Sequence, residues 1–295
     1  MAPVALWDIA LALVLAPLLP GVIARVKARV AGRQGPPLAQ MYFDLLKLAR
    51  KGAVYSTTTT WLFRAGPIVS LACVTVALAL LPLAGRSALY AFPLDFVMLA
   101  YLLALGRLAT VLAALDTGSS FEGMGASREV TFAALSEPAL FLGLVTLARA
   151  VGTLSLTPLV GRVSPLEPEV ALVAVALGIV LLSENSRVPF DDPNTHLELT
   201  MIHEVMVLDH GGVDLAMIQY GACLKLWLWS ALVGGILTPL TLKALPFAGL
   251  IGVFVVAIAI GIVESSLARW RLVRVPQLLA TALALAAVAF ILGVH

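Results

Sequence analysis

The sequence predicts an all-α integral membrane protein: a bundle of about eight transmembrane helices with an amphipathic segment and polar loops on the cytoplasmic side. Three observations predict it. Hydrophobic residues make up 61% of the chain and charged residues 12%, about half the charged share of a soluble domain. Apolar runs long enough to cross hydrocarbon, about 20 residues each, recur from end to end. Those runs lack the in–out alternation of barrel strands, so helices must satisfy the backbone groups that lipid cannot.

The runs cover roughly 3–24, 61–83, 92–115, 131–152, 168–186, 214–237, 245–267 and 276–294, each bounded by Gly, Pro or charge. They read as a single transmembrane domain over 1–295. The first is not a cleaved signal peptide, because it has no basic n-region, carries Asp8 and runs into RVKAR, a stop-transfer pattern. Of the 19 Lys and Arg residues, 13 fall on one side of the spans and only Arg86, Arg149, Arg162 and Lys243 on the other. By the positive-inside rule the richer side is cytoplasmic and both termini lie outside. Cys73 and Cys223 lie in different spans, which suggests neither a disulfide framework nor an iron–sulfur site.

The outer loops are short and bland. On the inner side, segments 25–60, 116–130 and 187–213 hold most of the polar chemistry, which suggests a soluble partner docking there. Within 38–52, Leu38, Met41, Tyr42, Leu45, Leu46 and Leu48 are interleaved with Asp44, Lys47, Arg50 and Lys51. That pattern reads as a short interfacial helix or, equally, as a basic anchor that fixes the topology of the first span.

The stretch HLELTMIHEVMVLDH, 196–210, holds three of the four histidines. On a helix, His196, His203 and His210 would share one face about 10 Å apart, too far for two of them to reach one metal ion. His203-Glu204 begins like a zincin helix, but position 207 is Val, so no metal is expected. With no histidine inside a span there is no haem site, and no nucleophile–base pair, phosphate loop or nucleotide fingerprint occurs. The chain reads as a non-catalytic subunit with no redox centre of its own. In the loop before these histidines, DDPNT (191–195) is good turn and N-cap chemistry, while Glu198, Glu204 and Asp209 fit a solvated face as well as a functional one.

Inside or near the spans lie Arg107, Glu137, Glu184, Lys225 and Glu264. A charge at mid-bilayer costs at least ~2.5–3.5 kcal/mol, so each must pair or line a polar interior. Glu184 and Arg187, three apart, are placed to pair on one helical face, and Pro138 should bend the helix after Glu137. One reading is a chain of protonatable groups running from the inner loops towards mid-membrane. The other is a set of structural ion pairs. For Glu137 and Glu184 the convergence of carboxylates on the loop-rich side favours the first.

SENSRVPFDDPNTHLELTMIHEVMVLDHGG (183–212) resembles the signature of the membrane subunit shared by energy-converting group 4 nickel–iron (NiFe) hydrogenases, the formate hydrogenlyase and hydrogenase-4 type. The H-type subunit 1 of respiratory complex I belongs to the same superfamily. GRQGPPLAQMYFDLLKLARKGAVYS (32–56), GMGASREVTFAALSEP (123–138) and ESSLARWRLVRVP (264–276) are similar to the family's other inner motifs, in the same order, so the resemblance covers nearly the whole chain. In the complex I branch three alternate glutamates follow the R-x-P-F-D element. Here those positions are Asn194, His196 and Glu198, which favours the hydrogenase branch over a quinone-chamber subunit of an NADH:quinone oxidoreductase.

The resemblance implies a subunit of the cell (inner) membrane that anchors a peripheral arm and couples its redox chemistry to proton or sodium translocation. It implies that the NiFe centre and iron–sulfur clusters sit on partners: hydrogenase large and small subunits and an iron–sulfur protein on the cytoplasmic face. Antiporter-like subunits would be neighbours in the bilayer. Coupling residues carried over by motif are Glu137, Glu184, Arg187, Asp191, Glu198, His203 and Glu204, joined by the intramembrane Arg107, Lys225 and Glu264. Partner-facing positions are Asp44 and Lys47 on the first inner segment, Gly125, Arg128 and Glu129 on the second, and His196 and Asp209 on the third. A stand-alone ion transporter is disfavoured, since neither an inverted repeat nor paired interrupted helices occur.

Overall fold

The computed structural model describes residues 2–83, 86–191, 201–245 and 247–293. Helices α1 (Ala2–Leu15), α2 (Leu18–Val30), α3 (Gln40–Ala49), α4 (Trp61–Leu80), α5 (Asp95–Asp116) and α6 (Ser120–Val151) form the first half. The second half holds α7 (Leu156–Arg162), α8 (Pro168–Glu184), α9 (Gly212–Leu237), α10 (Leu240–Lys243), α11 (Ala248–Ser266) and α12 (Val275–Leu292). There is no strand among the described residues.

Six of these helices are long and apolar enough to cross a membrane, and the bent pair α1–α2 passes the same test when taken together as one span. The expected span at 168–186 corresponds to α8, whose 17 residues rise about 26 Å, a little less than the hydrocarbon thickness. The chain is therefore a multi-pass helical membrane protein with six or seven candidate spans by length and composition and the shorter α8 packed among them.

Helix α9 is the axis of the bundle. Buried residues fill 78% of its most apolar window, against 28–44% for the other long helices, and it packs against α2, α3, α4, α7, α8 and α11. Its sequence is apolar all round, as a helix surrounded by protein should be, with Trp227 and Trp229 fully enclosed. The other spans keep one face for lipid.

The break in the first span has a local cause. Pro17 lacks an N–H and cannot bond back to the carbonyl of Leu13, and α1 and α2 meet at 52°. The Leu13 carbonyl instead accepts from the Tyr220 hydroxyl of α9 at 2.9 Å, and the Val14 carbonyl from the Tyr42 hydroxyl of α3. Two side chains from other elements thus satisfy what the proline frees.

Polar clamps fix both ends of the bundle. At one end the Asp116 carboxylate accepts from the backbone N–H of Thr60 at 2.6 Å, its hydroxyl at 2.8 Å and the N–H of Phe63 at 3.3 Å, tying α5 to the start of α4. At the other, buried Asp95 accepts from Ser155 Oγ and the Leu156 N–H, both at 2.7 Å, and Arg86 pairs with Asp8. Lys243 donates to the carbonyls of Val160 and Val163 at 2.7 and 2.9 Å, where burial pulls its pKa down to about 8. Segment 25–60, the start of α6, residues 187–191 and 201–210 and the turn before α12 gather at the first end, the two-sided sorting that the charges predicted. Helix α3 covers part of the predicted amphipathic segment and packs on α2 and α9.

Helix α6 departs from expectation. It begins at Ser120 and runs 32 residues, about 48 Å, so it overshoots the bilayer by several turns. The predicted inner loop 116–130 shrinks to Thr117–Ser119. Gly125, Arg128 and Glu129 therefore stand on a helix, not on a partner-facing loop. Gly125 is buried, and a Cβ there would meet Val205 and lie 2.9 Å from Met206 Cγ and 3.0 Å from the Ile202 carbonyl. Overpacking of this kind costs about 1–3 kcal/mol, so Gly125→Val is expected to lower the melting temperature of the purified protein by several degrees, read by a thermal-shift assay in detergent.

Candidate functional site

Arg107 of α5, Glu129 and Glu137 of α6, Glu184 of α8, Lys225 of α9, and Asp191 and His203 between α8 and α9 form one connected chain. Arg107, near the middle of α5, has a side chain only 9% exposed. Its guanidinium reaches Glu129 one way (Nε–Oε1 3.0 Å) and Glu137 and Glu184 the other. The spacing places these partners: Glu129 and Glu137 are eight apart on α6, two turns along one face, and Glu184 ends α8. The second Glu184 oxygen lies 2.8 Å from Lys225 Nζ, halfway along α9, and Ser136 Oγ donates to the first at 3.0 Å.

From Glu129 the chain continues to the loop. His203 Nε2 stands 3.0 Å from Glu129 Oε2, and its Nδ1 is 3.8 Å from Asp191, beyond hydrogen-bond reach but within Coulombic range. Asp191 is held by Arg269 at 2.9 Å and by the backbone N–H groups of Ile202 and His203 at 3.0 and 3.2 Å. Arg128 donates to the Met201 carbonyl at 2.8 Å, fixing the same loop on α6.

Among the described residues, the carboxylates of Glu129, Glu137, Glu184 and Asp191 face the cations Arg107, Lys225 and Arg269, with Arg128 in Coulombic reach of Asp191, and His203 adds a further positive charge when protonated. Burial opposes that charge, but the carboxylates of Glu129 and Asp191 outweigh it and hold the His203 pKa up to about 9. Burial would raise the Asp191 carboxyl; His203 and the two N–H donors overcome it and keep the pKa below the ordinary value. His210 goes the other way. It lies edge-on to Phe63 at 3.9 Å, and burial lowers its pKa despite Asp214 and Asp209.

Several expected placements are corrected. Glu184 and Arg187 do not pair, because α8 ends at Glu184 and Ser186 takes a positive φ of 54°, turning the chain away from helical i,i+3 geometry. Arg187 instead lies 3.5 Å from Glu264, which Lys27 holds at 2.8 Å, a second buried cluster joining α2 and α11 to the loop. His203 and His210 do not share a helical face: only Glu204–Val207 is helical between them, as one 3-10 turn. Asp191 clamps Ile202 and His203, the rest of the turn reading at 191–195 lies outside the described residues, and Glu129 is 5% exposed within the ion chain, so it is no partner-facing residue. Helix α6 continues through Pro138 without a break.

Glu204 is half-buried, and Asp209 is exposed with its N–H donating to Glu122 at 3.0 Å. Asp44 accepts from Gln40 on α3 and Lys47 is exposed, both away from the ion chain. His196 and Glu198 lie outside the described residues. Among the described residues no group of three His, Cys, Asp or Glu side chains is placed to hold a metal ion. Sequence reasoning missed Arg269, Lys27 and Ser136. Arg269 sits in a quoted inner motif, but nothing in its spacing points to Asp191.

A family model described as NADH dehydrogenase matches residues 4–294. The chain belongs to the NADH dehydrogenase family. Within the family it is 33% identical to hydrogenase-4 component C of Escherichia coli K12, covering 97% of this chain and 94% of that one. It is 30% identical to formate hydrogenlyase subunit 4 of the same organism, over 94% and 93%. The H-type subunit of the NADH-quinone oxidoreductase of Anaplasma phagocytophilum is 25% identical over 75% of this chain and 72% of its own. Among solved structures, a chain of an archaeal respiratory membrane complex, the membrane-bound sulfane sulfur reductase, superposes with a TM-score of 0.83 over 98% of each chain at 24% identity, a likeness of fold.

Proposed function

We propose that this chain is the membrane subunit of a hydrogenase-type respiratory complex, anchoring a peripheral redox arm and coupling its chemistry to ion movement. The observation that carries the reading is the unbroken ion chain from Arg269 in the turn before α12 and Asp191 in the loop after α8, through His203 and Glu129, to Arg107, Glu184 and Lys225 inside the bundle. Buried charge is costly unless paired, and a merely structural pairing would not need to extend from the surface to mid-membrane. The greater identity and coverage of the hydrogenase-4 and formate hydrogenlyase relatives favour that branch over the quinone-reducing one.

In this reading the NiFe centre and iron–sulfur clusters belong to hydrogenase large and small subunits and an iron–sulfur protein, docked where the loop and α3 lie. This chain holds no redox centre. Antiporter-like subunits adjoin it in the cell (inner) membrane, and both termini face outward. A charge change on a nearby cluster alters the balance at His203. Loss of that proton removes the positive charge that faces Glu129 and Asp191, and the added negative potential draws a proton onto a carboxylate deeper in the chain.

The test is Glu137→Gln in the intact complex. Glu137 has the most exposed side chain of the carboxylates around Arg107, at 41% against 7% or less for the others, so the complex is expected to assemble while ions moved per redox turnover fall several-fold in proteoliposomes. Unchanged pumping would remove Glu137 from the path. Hydrogen evolution from reduced viologen by the complex that copurifies with this chain distinguishes the hydrogenase branch; quinone reduction in its place would move the chain to the other.

A further inference from the structure

The ion chain contains a step its side chains cannot make. Glu137 and Glu184 both contact Arg107, and a guanidinium does not give up its proton in a protein. A proton passing between the two carboxylates must go around Arg107. A small cavity lies there, with about 10 Å³ of room for water centres, bordered by Arg107, Ser136, Glu137, Glu184 and Trp229, which is about the space one water needs.

Trp229 supplies the second observation. It is 1% exposed and lines this cavity, and its Nε1 is buried without a hydrogen-bond partner among the described residues. An enclosed indole N–H ordinarily has an acceptor. Arg107 on the wall disfavours a metal cation. A neutral molecule that accepts from the indole and donates to carboxylates fits the walls, and water does both.

We propose that this cavity binds a single water, held by Trp229 Nε1–H and the carboxylates of Glu137 and Glu184, that carries a proton between them around Arg107. The proposal rests on the relay reading above. In the step, a protonated Glu184 gives its proton to the water oxygen as the water gives one of its own to the Glu137 carboxylate. One O–H bond breaks and one forms on the water, which is left unchanged, and one proton has moved. Trp229 is a positioning residue, since it orients the water and exchanges nothing.

The experiment compares the intact complex carrying the wild-type chain, Trp229→Phe or Ala104→Val by high-resolution cryo-electron microscopy and by proton uptake per redox turnover in proteoliposomes. Trp229→Phe removes the N–H and keeps a smaller aromatic ring, while Ala104→Val fills the cavity from another wall. Expected is a density peak within hydrogen-bond reach of Trp229 Nε1 in the wild type, its loss in both variants, and a proton-to-turnover ratio at least threefold lower in each. No peak in the wild type overturns the site, and a peak that survives Trp229→Phe overturns the role of Trp229. A lost peak with an unchanged ratio, where Glu137→Gln lowers it, overturns the relay through water. If Glu137→Gln also leaves the ratio unchanged, the pathway reading itself has failed and the relay falls with it, while the density alone decides the water site.

Discussion

Replacing Arg107 with methionine is expected to stop the complex from assembling, or to leave it unstable by about 3–5 kcal/mol, the usual cost of removing one partner from a buried ion pair. The reason is the number of groups that depend on it. Glu129, Glu137 and Glu184 all face this one guanidinium, and Glu129 and Glu184 are 5% and 7% exposed. Methionine fills similar volume without charge, so the loss reports electrostatics and not a cavity. Arg107→Lys separates charge from shape. A lysine keeps the charge but has no planar fork to span three carboxylates, so it should recover assembly in part and ion movement hardly at all. Copurification of partners with the tagged chain, followed by melting temperature, reads both variants. Full assembly of the methionine variant would show that the carboxylates are stabilised some other way.

The second large effect is expected at Asp191, as a change in pH dependence. His203 has a folded pKa raised to about 9 from an ordinary 6.5, so its contribution to stability is fully present below about 6.5 and is lost as pH rises through about 9. Asp191 has the opposite sign. Its pKa is lowered from an ordinary 3.8, so its contribution is present above about 3.8 and is lost only as pH falls below that. Asp191→Asn keeps an acceptor for the N–H groups of Ile202 and His203 but removes the charge facing His203 and Arg269. The upper pH limit of coupled ion movement should then fall by about one unit, since a neighbouring opposite charge moves a pKa by about 1–3 units, while the acid limit moves little. A pH profile of ions moved per turnover between about 6 and 10 measures it. An unchanged upper limit would mean that His203 does not set it.

Much of the fold was legible because hydrocarbon imposes simple rules. Each predicted apolar run has a helix beneath it, and the uneven distribution of Lys and Arg matched the two ends of the bundle. Helix boundaries at the membrane surface were harder to read. Gly123–Ser127 looks like a loop, yet α6 runs straight through it because the turns outside the bilayer bury Gly125 and Ala126 against Val205 and Met206. Pro17 and Pro138 show why proline alone does not decide. The first breaks a span whose freed carbonyls find tyrosine hydroxyls, while the second leaves its helix continuous.

The candidate site divides in the same way. The sequence by itself determined the inventory: an oily chain that nevertheless keeps Arg107, Glu137, Glu184, Lys225 and Glu264 within its spans, and Asp191 and His203 in its loop, must use them in pairs, because the bilayer tolerates no lone charge. Only the tertiary structure decided the pairings. Glu184 is three residues from Arg187 yet bonds to Arg107 and Lys225, 77 and 41 positions away in the chain, while Arg187 crosses to Glu264. Local spacing fixes partners only where a helix continues, and α8 ends at Glu184. Beyond that point the partner of a charge is set by which helices pack together, and packing depends on the whole bundle.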